Sequence, residues 1–301
     1  WVQHNFIAPT FQHLAAEGHK ANAIVFSCVT TLVDGFVEAP LRVYDRDGDL
    51  LTPVRDTDAL PRLLNNPNDQ MSQAELMEYV MLYAAIGGNC YLQKLRSRSG
   101  LVGELVPYSD ADLTPVKWRG PFVDHYEYRD PKGIKREVPL EDVIHLKWAP
   151  DPLRPWTGMS PLVAVAREVD TDSEAARYIY TMLKNDAVPR FVLTRPAGTP
   201  PLSDPEFRRF QEMWQQRYGS GKRGMPALLE AGTTIHELSM SLDKLALDAL
   251  RGIPETRVCA VYRTHPVLIG LNTGLQASTY NNYEEVRLAF TEHTLYPLWR
   301  R

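Results

Sequence analysis

The apolar positions of the first ninety or so residues recur at the spacing of helices. Residues 20–37 carry such a stripe, and Pro40 follows it. A shorter helix is predicted at Leu60–Leu64. Ser72-Gln73-Ala74-Glu75 then has the form of a capping box, in which the serine hydroxyl accepts from the Glu75 N–H and the glutamate side chain reaches back to the serine N–H. The helix that follows is predicted to end at Gly87-Gly88.

From Asn89 to Trp148 the apolar period changes to two, which predicts strands. Asp130-Pro131-Lys132-Gly133 supplies a turn with proline in its favoured second position. The first half of the chain is therefore predicted to be an α+β unit, in which helices precede a mostly antiparallel, meander-like sheet. The predicted strands are Cys90–Lys94, Leu101–Pro107, Leu113–Trp118, His125–Tyr128 and Val143–Trp148.

A long helix is predicted after Gly158, with Ser160 as its N-cap and Pro161 in its first turn. No Gly or Pro interrupts it, and at about 1.5 Å per residue it would run on the order of 35 Å. Its other face is mostly acidic. A long helix with one narrow apolar stripe needs neighbours along its length, which a ring of identical helices would provide. The stripe consists of Leu162, Val165, Val169, Ala176, Ile179 and Leu183.

A small α/β segment is predicted between this helix and the next helical stretch. Strand Val188–Arg195 precedes a helix capped by Ser203 or Asp204, and a hairpin of Met225–Glu230 with Thr233–Leu238 follows. Helical patterns then cover Leu242–Leu250 and Glu255–Arg263, with a break at Gly252-Ile253-Pro254. A long loop rich in Gly, Asn, Thr and Ser follows. The last predicted helix begins near Asn281 and reaches Trp299.

Composition narrows the class of protein. The chain has 301 residues, of which 44% are hydrophobic and 23% charged, as in folded proteins, and its net charge is −4. That charge disfavours a protein that coats nucleic acid, but it suits a channel past which DNA slides. Cys28, Cys90 and Cys259 lie in apolar runs without CxxC spacing, so they are predicted to be buried free thiols. No apolar segment is long enough to cross a membrane, and no signal-peptide pattern is present. A soluble protein made in the cytosol is therefore expected.

Candidate catalytic motifs fail on their spacing. Gly219–Gly224 lacks two required residues of a phosphate-binding loop, whose places hold Gln216 and Arg223. Gly158-Met159-Ser160-Pro161 does not fit a nucleophile elbow, and the histidines show no metal-ligand spacing. We therefore predict no enzyme activity, no cofactor and no metal site. The alternatives are an enzyme whose active site is unrecognised and a cellular scaffold protein without DNA contact.

Short motifs along the chain resemble those of the portal proteins of long-tailed double-stranded DNA bacteriophages. Their order and spacing cover nearly the whole chain. Cys90 stands where the family usually has Ala, and Lys184 where it usually has an aromatic residue. The motifs are Leu64–Asn68 with Met71-Ser72, Gly87–Tyr91, Asp142–Leu146, Gly158–Leu162, Lys184–Pro189, Val258–Gly270, Asn282–Glu285 and Leu295–Leu298.

The resemblance implies the portal fold, divided into named regions. An α+β wing would be followed by long stem helices, a small α/β clip inserted between them and a tunnel loop. The last helix would lead back to the wing and toward a crown, most of which this chain lacks. The implied boundaries are wing 1–158, stem helix 159–186, clip 187–238, returning stem helix 239–265, tunnel loop 266–281 and returning helix 282–301.

The resemblance also implies a mechanical function. About twelve copies would form a ring at one capsid vertex, as the channel for DNA packaging and ejection in a virion of phage or prophage origin. The implied partners are the terminase large subunit, a head-completion or tail adaptor protein, capsid and scaffolding proteins, and double-stranded DNA without sequence specificity; no membrane is involved. Assembly would take place in the host cytoplasm.

Two sets of residues would carry this function. The stem stripe Leu162, Val165, Val169, Ile179 and Leu183 would pack between subunits or against the returning helix, so that Val169→Asp would abolish rings while the wing still folds. The tunnel loop would line the channel without any charged side chain, which neither grips nor repels passing phosphates. Its predicted channel residues are Leu271, Asn272, Thr273, Gly274, Gln276 and Ser278.

Overall fold

The computed structural model divides the chain into two compact units. Residues 1–173 and 252–301 belong to the first unit, and residues 174–251 belong to the second. The described residues are 10–119, 122–185, 191–194, 203–209, 212, 234–237, 247–271 and 280–300.

The described helices follow the predicted order. No single described helix has the length and hydropathy of a membrane span; the stretches Phe11–Lys20 and Ala23–Val37 meet those criteria only together, across a bend of 102°. The helices are α1 (Phe11–His13), which continues as π-helical turns over Leu14–Lys20, α2 (Ala23–Val37), α3 (Ala59–Asn65), α4 (Gln73–Gly87), α5 (Pro161–Ala164), α6 (Ala166–Asn185), α7 (Leu247–Tyr262), α8 (Tyr280–Phe290), π-helical turns over Thr291–Leu295, and α9 (Tyr296–Trp299).

The described strands form short antiparallel sheets, so the predicted α+β class is confirmed. Strands β2 and β7 were not predicted. All four residues of β2 are exposed, and β7 is exposed except at Val138, so neither strand alternates between buried and exposed side chains. The strands are β1 (Tyr44–Asp47), β2 (Leu50–Pro53), β3 (Asn89–Arg96), β4 (Val102–Tyr108), β5 (Leu113–Lys117), β6 (Val123–Arg129), β7 (Lys135–Val138), β8 (Val143–Lys147), β9 (Phe191–Thr194) and β10 (Thr234–Glu237).

The single meander-like sheet predicted for Asn89–Trp148 is instead two three-stranded sheets. One has the order β4-β3-β8, and the other has the order β5-β6-β7. Strand β3 lies in the middle of its sheet. Its Tyr91 pairs with His145 of β8 on one side and with Tyr108 of β4 on the other. Because the first four residues of β3 are buried, their backbone groups need partners along both edges.

The capping box predicted at the start of α4 is confirmed. The Ser72 N–H donates to Glu75 Oε2 at 2.7 Å, and the Glu75 N–H donates to Ser72 Oγ at 3.3 Å. At the other end Gly88 has φ +85°, the left-handed conformation that glycine adopts without strain. Local sequence alone therefore sets both ends of this helix.

The main core is built around α2. Four of its side chains are completely buried, and each large apolar side chain removed from water contributes about 1.5–3 kcal/mol. Residues far apart in the chain meet here, from α4, the α5–α6 region, α7 and the last helices. The cluster includes Val25, Cys28, Val29, Leu32, Met81, Ala85, Ile86, Leu162, Val165, Val169, Val258, Cys259, Tyr262, Phe290 and Leu295.

The long helix predicted from Leu162 is interrupted at Val165, so the prediction of one unbroken helix was wrong. Val165 has φ −114° and ψ 16°, and its N–H donates to the Leu162 carbonyl at 3.2 Å. The helical ladder resumes where the Val169 N–H donates to the Val165 carbonyl. Leu162 and Val165 are both buried in the main core. The free energy gained by burying these two side chains therefore outweighs the free energy lost where the helix is interrupted at the β-branched Val165.

The break predicted at Gly252-Ile253-Pro254 was also wrong, because α7 continues through it. A proline removes one backbone donor and crowds the preceding turn, at a cost of about 3 kcal/mol. The buried Pro254 and the core residues Val258 and Tyr262 of the following turns hold the helix together.

In the second unit β9 pairs with β10 in antiparallel register, from Phe191↔Glu237 to Thr194↔Thr234. Both strands lie within predicted ones. The predicted hairpin partner Met225–Glu230 lies outside the described residues. Residues 204–209 are helical, and the Ser203 N–H donates to Glu206 Oε2 at 2.9 Å, in keeping with the predicted N-cap.

Candidate functional site

The lower part of the predicted stem stripe lies in the main core of its own chain. Leu162, Val165 and Val169 are each at most 5% exposed and belong to the same cluster as Val258 and Tyr262 of α7. Ile179 is half-buried, and the side chain of Leu183 lies outside the described residues. The predicted role of the stripe in subunit contact therefore stays a prediction, and its upper part is where it can be tested.

Polar contacts join the first turns of α6 to the rest of the first unit. Asn22 donates from Nδ2 to Asp172 Oδ2 at 2.9 Å, while its Oδ1 accepts from two N–H groups of the first turn of α2. Both side chains are buried. Arg257 of α7 pairs with Glu168 at 2.9 Å. These contacts join the base of α6 to α2 and α7.

The segment leading into the predicted tunnel loop is anchored in the core. Leu271 is half-buried and packs against the main core together with Leu268 and Ile269. Its N–H donates to the Pro266 carbonyl at 3.0 Å, and the Thr294 hydroxyl donates to the Arg263 carbonyl at 3.0 Å. The other predicted channel residues, Asn272, Thr273, Gly274, Gln276 and Ser278, lie outside the described residues.

Three of the family motifs meet at one place, which we name the motif junction: Gly88, Asn89, His145, Gly158 and Ser160. The Asn89 Oδ1 accepts from the Gly158 N–H at 2.5 Å and lies 2.8 Å from His145 Nε2, while Asn89 Nδ2 donates to the Gly158 carbonyl at 3.2 Å. The Ser160 hydroxyl donates to the Ile86 carbonyl and also accepts from the Leu162 N–H, as the predicted N-cap.

Glycine is required on both sides of the motif junction. A Cβ atom at Gly88 would collide with the backbone of Met159 and Ser160, and one at Gly158 would collide with the Gly88 carbonyl. The two backbones therefore touch directly. As a result, the end of α4 and the start of α5 hold one fixed position relative to each other.

Burial sets the charge state of the motif junction. It lowers the pKa of His145 to about 3, with a further contribution from the positive charge of Lys147. Neutral His145 can then donate from Nε2 to Asn89 Oδ1 while Nδ1 accepts from the Tyr126 hydroxyl, 3.4 Å away. Burial also raises the pKa of Asp110 to about 6, although hydrogen bonds from Asn89 and Tyr91 favour its charged form.

Other motif residues make similar contacts between distant segments. The Tyr262 hydroxyl donates to the Ala85 carbonyl at 3.0 Å. The Leu105 N–H donates to the Pro67 carbonyl at 2.7 Å, and Asn68 Nδ2 donates to the Leu105 carbonyl. Pro67, Asn68 and Tyr262 lie in family motifs, but motif spacing does not reveal which segments touch, so these contacts could not be predicted from the sequence.

Groups that could support chemistry are few in the part of the chain that is described. There, no three His, Cys, Asp or Glu side chains are grouped so that they could hold a metal ion. Cys28, Cys90 and Cys259 are buried and free, as predicted. Cys28 and Cys259 lie 3.9 Å apart, sulfur to sulfur, in the main core. The hydrogen bond with the Cys259 thiol, together with burial, raises the pKa of Cys28 far above its ordinary value.

Comparisons with known proteins agree with the motifs. The family model described as phage portal protein matches residues 23–301. The portal protein of Enterobacteria phage HK97 is 22% identical over 91% of this chain and 63% of its own length.

Two solved structures share the fold. The neck of the native gene transfer agent (GTA) particle computed with C12 symmetry has a TM-score of 0.70 at 20% identity, over 96% of this chain and 76% of that one. An HK97-family phage portal protein from Corynebacterium diphtheriae has a TM-score of 0.60 at 13% identity, over 96% and 86% of the two chains. Because the family match spans nearly the whole sequence, this chain belongs to the phage portal protein family.

Proposed function

We propose that the chain is the subunit of a ring of about twelve copies, placed at one vertex of a capsid, through which double-stranded DNA is packaged and later ejected. The observation that carries this proposal is the family match over residues 23–301. The neck particle computed with C12 symmetry supports the number of copies. The ring would assemble in the host cytoplasm and remain in the virion.

The chain would divide as the family motifs imply. The wing would comprise residues 1–158, the stem helix 159–186, the clip 187–238, the returning stem helix 239–265, the tunnel loop 266–281 and the returning helix 282–301. The separate compact unit 174–251, with its β9–β10 pair, supports an insertion at the clip. The packing of Leu268, Ile269 and Leu271 against the main core supports a loop whose first residues are held in place.

The partners would contact different regions of the ring. The clip would dock the terminase large subunit during packaging and a tail adaptor afterwards, while the wing would contact capsid and scaffolding proteins. DNA would pass without sequence recognition. The net charge of −4 per chain supports passage rather than binding, since a basic surface would hold phosphates in a salt-dependent manner.

Electron microscopy of the purified protein tests the ring directly. Closed rings with a central opening are expected. Folded particles that stay monomeric at all concentrations would contradict the proposal.

A DNA-binding titration tests the channel. Weak binding to duplex DNA that disappears at moderate salt is expected, because few phosphates would be neutralised at once. Sequence-specific binding at nanomolar affinity in physiological salt would exclude a passive channel.

A further inference from the structure

Two of the three cysteines touch each other in the main core. Cys28 lies on α2 and Cys259 on α7, 231 positions later in the chain, and their sulfur atoms are 3.9 Å apart. Both residues are buried, at 0% and 2% exposure. The mechanical function proposed above uses neither thiol. The fold therefore brings together two reactive groups that the sequence holds far apart.

Core packing on both helices keeps the two sulfur atoms in contact. Val29 of α2 and Val258 of α7 belong to the same buried cluster, and the Tyr262 hydroxyl joins α7 to α4 through the Ala85 carbonyl at 3.0 Å. A disulfide bond is about 2.05 Å long, so the sulfur atoms would have to approach by about 1.9 Å. A change of rotamer moves a cysteine sulfur by about 3 Å, which is more than this approach requires.

The hydrogen bond between the two thiols sets which sulfur reacts first. The Cys28 thiol donates to the Cys259 sulfur. This bond lowers the pKa of the Cys259 thiol below its ordinary value, although burial opposes the change. The thiolate is the form of cysteine that attacks an oxidant. Cys259 is therefore suited to attack, and Cys28 is placed to complete the bond.

We propose that hydrogen peroxide converts Cys28 and Cys259 into a disulfide that joins α2 to α7. The Cys259 thiolate attacks one peroxide oxygen, the O–O bond breaks, and the released hydroxide takes up the thiol proton to form water. The Cys28 thiol then attacks the sulfenic sulfur, gives up its proton, and displaces a second molecule of water. In total the two thiols lose two hydrogen atoms, and one hydrogen peroxide is reduced to two molecules of water.

The disulfide closes a loop that contains the whole second unit. Residues 174–251 lie between the two cysteines, and α7 carries the chain from that unit back into the main core. The cross-link restricts the unfolded chain and holds α7 on α2. Where the proposed portal function holds, the pair would be reduced in the cytosol during assembly and oxidised after release of the particle. The reaction itself does not depend on a ring.

The variant Cys90→Ala tests the pair, because it leaves Cys28 and Cys259 as the only cysteines of the chain. After treatment with hydrogen peroxide, both thiols should resist alkylation in denaturant and should react again after dithiothreitol. Mass spectrometry should find the two cysteine peptides linked within one chain. The midpoint of thermal unfolding should rise by at least about 5 °C on oxidation and return on reduction.

Two controls separate the pair from general oxidation. In the parent chain Cys90 is equally buried but lies in another cluster of the core, so it should remain open to alkylation after the same treatment. In the double variant Cys28→Ala with Cys90→Ala, Cys259 has no second thiol, so peroxide should not raise the unfolding midpoint. Thiols that stay open to alkylation, links between different chains, or an unchanged midpoint after linkage would each overturn the proposal. None of these measurements requires a ring, so their failure would leave the portal function standing.

Discussion

At the scale of single residues, Asn89 makes the contacts on which the motif junction depends. We expect Asn89→Ala to lower the free energy of unfolding by about 2–4 kcal/mol, because the Gly158 N–H and His145 would lose their partner while buried. Chemical denaturation measures this change. Asn66→Ala is the matched control at an exposed position and should change the free energy of unfolding by less than about 0.5 kcal/mol. Equal effects of the two substitutions would contradict the role of the junction.

His145 and Asp110 should give opposing pH dependences. The pKa of His145 is lowered from 6.5 to about 3, so the unfolded chain binds a proton that the folded chain excludes, and stability falls as pH decreases through 6.5. The pKa of Asp110 is raised from 3.8 to about 6, so the folded chain binds a proton first, and stability rises as pH decreases through 6. The two effects largely cancel between pH 7 and pH 5.

Asp110→Asn should therefore reveal the loss of stability at acid pH that His145 causes. Between pH 7 and pH 5 we expect the variant to lose about 1 kcal/mol more stability than the parent protein. The measurement is the free energy of unfolding at several pH values. The double variant with His145→Gln should abolish the additional acid sensitivity. Parallel pH profiles for the parent and Asp110→Asn would show that the two groups are not coupled to folding.

At the scale of elements, the two halves of the stem stripe should respond differently to a buried charge. Val169 is 5% exposed within its own chain, so Val169→Asp is expected to destabilise the first unit by several kcal/mol, on the order of 3–5. The expectation that this substitution would leave the wing folded is therefore revised. Thermal unfolding measures the effect.

Ile179→Asp is the informative change for assembly, since Ile179 is half-buried and lies in the second unit. We expect loss of rings on size-exclusion chromatography with an unchanged circular dichroism spectrum, because a charge would enter the proposed contact between subunits. Thr171→Asp on the exposed face of α6 is the control. If Ile179→Asp still forms rings, the stripe does not lie in the subunit interface.

At the scale of the whole molecule, the proposed channel depends on a loop without charge. Asn272→Arg and Thr273→Arg should each reduce DNA packaging by about tenfold or more while rings still form, because a ring of cations would hold passing phosphates. Packaging assays with purified particles measure this effect. Thr57→Arg, at an exposed position of the first unit, should package normally. Normal packaging by both loop variants would exclude this loop from the channel.

The sequence by itself determined most of the elements and the family. Capping of α4 by Ser72 and Glu75, the helix start at Ser160-Pro161 and the period-two strands depend on interactions within a few residues, and these can be read along the chain. The order of the motifs was enough to identify the portal family, which the match over residues 23–301 confirms.

Only the tertiary structure decided how these pieces meet. The Asn89–Gly158 contact joins residues 69 positions apart, and the pairing of β8 with β3 separates the strands into two sheets. The interruption at Val165 and the continuity of α7 through Pro254 oppose local preference. In each case burial in a shared core outweighs a local cost of a few kcal/mol, and burial depends on partners that no local pattern specifies.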